Sequence, residues 1–303
     1  PVCVSTHRQK LSIPDTNKQT RNTHTHTLTQ NNRHNKQKQK HMIKLVNKAT
    51  NFDKKTKKYV TNESNKNGED IKVVDCGDVV GEAKDVAGNH KRSEEAVRKI
   101  LSTGAMPIIL GGDHAIPIPV FRALENHGPI TLIQVDAHID WRDVFHGVSD
   151  GLSSVIRRAS EMNHINEIFQ IGLRAAGSAR PEEAQAALDY GSNLITDIEL
   201  QEVGMKSILD RIPDGHNYYL TIDADGVDPT IMPAVAGPAP GGVNYSQMRT
   251  LIQGLVKKGK VLGMDIVEIT PNKDVNGITA ITAGRFICNL IGSAVRAGYF
   301  NKK

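Results

Sequence analysis

The chain has no CxxC pair, and its three cysteines, Cys3, Cys76 and Cys288, are odd in number and far apart. This argues against a disulfide scaffold and for a reducing compartment. No apolar run reaches the length of a bilayer span, and no secretory apolar segment opens the sequence. The expectation is a soluble, cytoplasmic protein with no membrane partner; a mitochondrial one stays open if the acid-poor N-terminus is a targeting segment. Acidic residues are scarce at the start. Residues 1–70 hold 15 Lys/Arg against 5 Asp/Glu, while the rest holds 23 against 28. The net charge of +5 therefore belongs to the first segment, and the acidic remainder gives no reason to expect a nucleic-acid partner.

That first segment, residues 1–68, is built of Asn, Gln, Thr, Lys and His in runs such as Thr23-His24-Thr25-His26-Thr27. With almost no apolar periodicity it cannot bury enough surface to offset its ordering entropy, so it reads as a disordered basic arm. Its five histidines read as solvated side chains.

Residues 69–303 change texture to short apolar runs alternating with amphipathic stretches. Strands are expected at Ile71–Val74, Met106–Leu110, Ile130–Val135, Ile165–Leu173, Leu194–Ile198, Tyr218–Ile222 and Val261–Ile269. Helices are expected between them, among them Ser93–Leu101, Pro181–Tyr190, Met205–Ile212, Tyr245–Val256 and Asn276–Ala297. Strands separated by helices imply right-handed crossovers and a mostly parallel, doubly wound α/β sheet. Ligands of such sheets bind beyond the carboxyl ends of the strands.

Chemistry collects at those ends. Ile130–Val135 leads into Asp136-Ala137-His138-Ile139-Asp140, where alternate positions carry Asp, His and Asp. Alternate side chains leave a strand on one face, so the three can converge. Taken alone, the triplet is equally well read as a capped turn with a solvated Asp140. Two more clusters change the balance: His114 in Gly111-Gly112-Asp113-His114, and Asp223 and Asp225 in Asp223-Ala224-Asp225-Gly226. Four converging carboxylates repel unless cations compensate them, and two divalent ions would supply the matching charge. Oxygen-rich ligation with a little imidazole favours manganese over a thiolate zinc site. Two such ions can acidify a shared water from ~15.7 toward about 7, which points to metal-assisted hydrolysis.

Together, Gly111-Gly112-Asp113-His114, Asp136-Ala137-His138-Ile139-Asp140 and Asp223-Ala224-Asp225-Gly226-Val227-Asp228-Pro229 resemble the three signature segments of the ureohydrolases, the arginase and agmatinase family. The resemblance covers roughly residues 71–300. It implies an arginase-like three-layer α/β/α fold and two Mn²⁺ held by His114, Asp136, His138, Asp140, Asp223 and Asp225. It also implies hydrolysis of a guanidino compound to urea and an amine by a homo-oligomer, a trimer or hexamer. Met264-Asp265-Ile266-Val267-Glu268 resembles the family strand whose glutamate receives the guanidinium, and His146 falls where the family keeps a histidine for proton transfer. The chemistry agrees: a carboxylate suits a planar cation, and a histidine suits protonation of a leaving amine. Asp140-Trp141-Arg142-Asp143 and Ser153 to Ser160 resemble the agmatinase-like branch, which makes agmatine the expected substrate and putrescine the product. Guanidinobutyrate, guanidinopropionate and arginine are the alternatives.

The sequence departs from the family ahead of Ile71. Ureohydrolases carry another strand and a Gly/Arg/Pro-containing segment there, and this sequence, which begins at Pro1, has the polar arm. The expectation is a partial chain or one without that strand, so a truncated, non-catalytic metal-binding homologue is one rival reading. A metallophosphoesterase is another, because Asp136-x-His138 is also that class's opening motif. That class places a Gly-Asn-His segment after the motif, whereas Gly88-Asn89-His90 precedes it.

Overall fold

The computed structural model describes residues 71–300, apart from 83–84 and 176–178, and the backbone of Val2–Arg8, Phe52–Asp53 and Lys58–Tyr59. Its strands are β1 (Val2–Arg8), β2 (Phe52–Asp53), β3 (Lys58–Tyr59), β4 (Val73–Val80), β5 (Met106–Leu110), β6 (Ile130–Val135), β7 (Ile165–Leu173), β8 (Asn193–Thr196), β9 (Asn217–Asp223) and β10 (Lys260–Val267). Eight of them form one sheet in the order β4-β1-β5-β10-β9-β6-β7-β8. Every pairing in it is parallel, so the expected mostly parallel sheet is wholly so. β2 and β3 form a separate antiparallel pair.

The helices are α1 (Val86–Ser102), α2 (Pro117–Ala123), α3 (Val155–Ser160), α4 (Pro181–Tyr190), α5 (Asp197–Arg211), α6 (Tyr245–Lys258) and α7 (Ile278–Arg296). They cover both faces of the sheet. Ile108, Leu110, Ile133, Val135, Leu220, Ile222, Met264 and Ile266 face one core with residues of α5, α6 and α7. Ile109, Ile130, Leu132, Ile168, Tyr219 and Val267 face the other with residues of α1, α2 and α3. Burial on both faces is why these strands read as continuous apolar runs, and each buried Ile, Leu or Val contributes about 1.5–3 kcal/mol relative to exposure. The 19 residues of α7 are long and apolar enough to cross a bilayer by length and composition. Sequence inspection does not flag that stretch, and core burial of Phe286, Ile287, Leu290, Ile291 and Ala294 accounts for its apolarity.

Two expectations change at the N-terminal side. Val2–Arg8, assigned by composition to the arm, pairs with β4 on one side and β5 on the other. A strand therefore stands inside the sheet where one was expected to be missing. Its Val2, Val4 and Thr6 are β-branched, and pairing on both edges satisfies backbone groups that a disordered arm would leave to water. The rest of the expected arm, apart from β2 and β3, lies outside the described residues. β4 also runs on through Asp75 to Val80 instead of ending at Val74; the ladder skips Cys76 between Asp75 and Gly77, and Gly77 has φ 79°. This is a β-bulge that lets pairing continue past a turn-like sequence.

The strand order decides where a site can form. From β5 the chain passes to β6, leaving a gap of two places that β9 and β10 later fill. The carboxyl ends of β5, β10, β9 and β6 thus stand side by side at the topological switch point, where open α/β sheets bind ligands.

Candidate metal centre

Four strand ends deliver the side chains. β5 is followed by Gly111 and Gly112, with φ 83° and 81°, a conformation that admits glycine and turns the chain so that His114 comes back over the sheet. Asp136 follows β6 directly, and Asp223 is the last residue of β9. A short 3₁₀ turn, Ala224–Gly226, then places Asp225. Gly226 lies so close to the neighbouring strand end that a Cβ there would come 2.4 Å from the Asp136 amide nitrogen, which accounts for the glycine in that segment. Past β10, Glu268 has φ 58°. Its amide donates to the Gly112 carbonyl at 2.9 Å, and its Oε1 accepts from the His114 amide at 3.0 Å.

All six expected ligands come together, in two groups that share Asp136. His114 Nδ1 lies 2.9 Å from Asp136 Oδ2, 2.9 Å from Asp140 Oδ2 and 3.3 Å from Asp223 Oδ2. His138 Nδ1 lies 3.3 Å from Asp136 Oδ1 and 3.3 Å from Asp225 Oδ2. One ligand atom each from His114, Asp136 and Asp223, and from Asp136, His138 and Asp225, falls within 4.8 Å of the others. The carboxylate of Asp136 is therefore the link between the two groups.

The charges fit that reading. Burial alone would raise Asp136, but hydrogen bonds and charge from His114 and His138 hold it far below the usual carboxylate range. Burial, then the Asp136 charge, pushes Asp140 up to about 7 and Asp223 well above its ordinary value. Asp136 and Asp225 push His138 up to about 11. His114 is drawn well above the ordinary value by Asp136, Asp140 and Asp223, against the opposing effect of burial. So many carboxylates cannot all ionise together without cations, and protonated imidazoles are the stand-in. They are poor ones: His114 Nδ1 is buried with no well-formed hydrogen bond although three carboxylate oxygens surround it. A nitrogen so placed suits a metal ion, and the donor set of two imidazoles and four carboxylates suits a hard or borderline divalent one.

The other ring nitrogen supports this. His114 Nε2 lies 3.1 Å from Thr221 Oγ1, whose hydroxyl donates to Asp265 Oδ1 at 2.7 Å. An acceptor beyond the hydroxyl makes Nε2 the protonated nitrogen and leaves the Nδ1 lone pair toward the pocket. Burial pushes Asp265 up to about 6. Asp265, Thr221, Gln134 and Gln170 form one transverse row, since Asp265 pairs in register with Thr221, Thr221 with Gln134, and Gln134 with Gln170. None of the four is given a role by the sequence alone. Their signal was there, as single polar residues in strands that are otherwise apolar.

Arg174 is likewise given no role by the sequence alone. Its guanidinium donates to the carbonyls of Asp225 (2.6 Å), Ala239 (2.9 Å), Gly172 (3.0 Å), Pro240 (3.0 Å) and Gly226 (3.2 Å), pinning the Asp225 turn to the end of β7. His146 has a different place. It sits exposed with φ 51° at the tip of a turn closed by reciprocal backbone hydrogen bonds between Phe145 and Val148. Among the described residues, no hydrogen bond or ion pair joins it to the six. Asp140, His146, Glu268 and Asn276 are the described non-glycine residues with positive φ, so three of the eight expected site residues carry backbone strain, which tends to persist at functional sites.

The rival phosphoesterase segment is elsewhere. Asn89 and His90 are buried within α1, where His90 Nδ1 is 3.5 Å from Asp150. A broad surface groove lined by Arg98, Glu125 and His164 lies by the amino ends of β6 and β7, away from the ligands.

Comparison with known proteins agrees with this geometry. The Arginase family profile matches residues 43–292. Guanidinopropionase of Pseudomonas aeruginosa is 30% identical over 237 residues, 75% of this chain and 74% of its own length. The mitochondrial agmatinase of Gallus gallus is 31% identical over 229 residues, 72% of this chain and 66% of its own. The crystal structure of the agmatine ureohydrolase of Thermoplasma volcanium superposes with a TM-score of 0.66 at 31% identity, over 75% of this chain and 74% of that one. With the matching sheet, the shared aspartate between two ligand groups and these relatives together, the chain belongs to the arginase family, as a hydrolase of amidine C–N bonds in its agmatinase-like branch.

Proposed function

We propose that the chain uses two manganese ions to hydrolyse agmatine to urea and putrescine. The observation that carries the reading is Asp136, buried and shared by two ligand groups, with Glu268 anchored on the His114 amide beside them. Such ions, when bound, would supply an acidified water at neutral pH. Asp136, Asp140, Asp223, Asp225, His114 and His138 hold them. The Glu268 carboxylate orients the planar guanidinium through paired, charge-assisted hydrogen bonds. His146, on its exposed turn, would be the group that gives the leaving amine its proton.

Agmatine is chosen on the likeness of Asp140-Trp141-Arg142-Asp143 and of Ser153 to Ser160 to agmatinase-like members. Relatives named for guanidinopropionate and agmatine match equally well, at 30% and 31% identity, and their substrates differ at the end remote from the guanidinium, anionic in one and cationic in the other. Urea release from agmatine, guanidinobutyrate, guanidinopropionate and arginine, with manganese added to the metal-free protein, tests both parts. Turnover confined to a carboxylate-bearing substrate would replace agmatine. No urea from any of them would return the chain to the non-catalytic reading.

A further inference from the structure

The bridging carboxylate has a support that none of the ligands supplies. Gln134 Nε2 donates to Asp136 Oδ2 at 2.6 Å, and Gln134 Oε1 accepts from Gln170 Nε2 at 2.6 Å. Gln170 Oε1 in turn accepts from the Ser192 hydroxyl at 2.9 Å. Gln170 Nε2 also donates to the carbonyl of Ile139 at 2.7 Å, which ties down the backbone between His138 and Asp140. Gln134 and Gln170 are 0% exposed and Ser192 is 6% exposed.

The direction of this chain is forced. An ionised carboxylate only accepts, so Gln134 must present its amide N–H₂ to Asp136 and its oxygen to Gln170, and Gln170 must then present its oxygen to Ser192. The bonds from Ser192 to Gln170, from Gln170 to Gln134 and from Gln134 to Asp136 all run the same way, and hydrogen bonds aligned in this way polarise one another. The fold does not need such a chain. On the same face of β6 and β7, Leu132 and Ile168 fill the neighbouring positions with apolar side chains, whereas two buried amides cost stability unless fully paired.

We propose that Gln134, backed by Gln170 and Ser192, is a positioning residue for the bridging carboxylate. It fixes the rotation of the Asp136 carboxylate so that Oδ2 serves the His114 pocket and Oδ1 the His138 pocket. Without the amide on Oδ2, the carboxylate keeps the bond that its Oδ1 accepts from the His138 amide at 2.7 Å and can pivot about it to offer both oxygens to one ion, at the expense of the other. The inference rests on the two-ion reading above.

The test is manganese binding to the metal-free protein, followed by electron paramagnetic resonance, which counts free Mn²⁺ and separates a spin-coupled pair from isolated ions. Wild type is expected to take two ions with a coupled spectrum. Gln134→Leu should bind its first ion normally, bind the second about 10- to 100-fold more weakly, and lose the coupled spectrum. Gln134→His, which keeps an N–H at similar reach, should recover most of the second-site affinity. A purely packing role would leave the coupled spectrum intact in Gln134→Leu, and that result would overturn the proposal. If Gln134→Leu does not fold by circular dichroism, Gln170→Leu removes only the support and should weaken the second ion about threefold or more; wild-type affinity there also overturns it. Failure of wild type to take a second ion overturns the two-ion reading, and this inference with it.

Discussion

The His114 side of the centre is sealed and the His138 side is open. His114 is 1% exposed and meets three carboxylates, whereas the His138 side chain is 34% exposed and meets two. Behind His114 stand Thr221 and Asp265 in the middle of the sheet. Asp225, by contrast, is held through its backbone by Arg174. The difference teaches a division of labour. The sealed pocket is the more tightly held, because its imidazole, its three carboxylates and their partners are buried; the open one faces water.

Breaking the element common to both pockets should have the largest effect. Asp136→Asn keeps the shape but removes a charge that both ions need, and uncompensated buried charge costs about 3–5 kcal/mol. Both ions should fall below half-occupancy at micromolar manganese, and urea production should disappear with them. Asp225→Asn should separate the pockets, losing one ion and leaving the His114 ion in place. Metal analysis after gel filtration reads both variants, and equal losses from the two would erase the distinction between them.

Glu268 lies outside the ligand set, and its removal should leave both pockets filled. Glu268→Gln gives up the charge-assisted bonds to a guanidinium, worth about 1.5–3 kcal/mol, or about 10- to 100-fold in kcat/KM. Two ions per chain with wild-type kcat/KM on agmatine would move the guanidinium pocket elsewhere.

Acid and base should act in opposite directions on the metal-free and metal-loaded protein. Without metal, Asp140 is raised to about 7 and His138 to about 11, so the native centre binds protons more tightly than the unfolded chain does. For Asp140 that stability is lost as pH rises from about 4 to 7, and for His138 it is present below about 6.5 and lost as pH rises toward 11. The melting temperature of the metal-free protein should therefore fall between pH 5 and pH 8. Manganese must displace the same protons, so its affinity and the stabilisation it brings should grow over that interval. Melting curves at the two pH values, with and without manganese, should diverge; parallel curves would mean that the ions do not bind where the protons sit.

How much of this was legible in the sequence depends on what each residue's neighbours in the chain reveal. Ile165–Leu173 and Pro181–Tyr190 match the structure at both ends, because a buried apolar run, a proline at the first helical position and Gly191 in the left-handed region leave little choice. α5 starts eight residues ahead of the expected Met205. Its first half buries only Leu200, and Gly204, at φ 75°, interrupts the periodicity. β1 was hidden by the polar residues around it, since its partners lie some seventy and a hundred residues away. The six ligands could be read because they stand at strand ends in alternating positions. Gln134, Gln170, Thr221 and Asp265 could not be given roles, because their meaning lies in the sideways register of four strands, and that register is set by tertiary structure.

The smallest effect expected is also the one that sharpens the contrast most. Thr221→Val replaces a hydroxyl by a methyl of nearly the same size, so it removes the acceptor for His114 Nε2–H and the donor to Asp265 while leaving every ligand in place. Losses of this kind lower metal affinity about 10- to 100-fold, and here the lower end is expected because three carboxylates still hold the ion. The loss should fall on one ion only. The His138 pocket shares no hydrogen bond with Thr221 among the described residues, so its affinity should be unchanged. Thr221→Ser, which restores the hydroxyl, should return the His114 pocket to within about threefold of wild type. If Thr221→Val weakened both ions equally, the two pockets would be one cooperative unit tied through Asp136, and the tighter hold assigned to the sealed side would belong to the bridge.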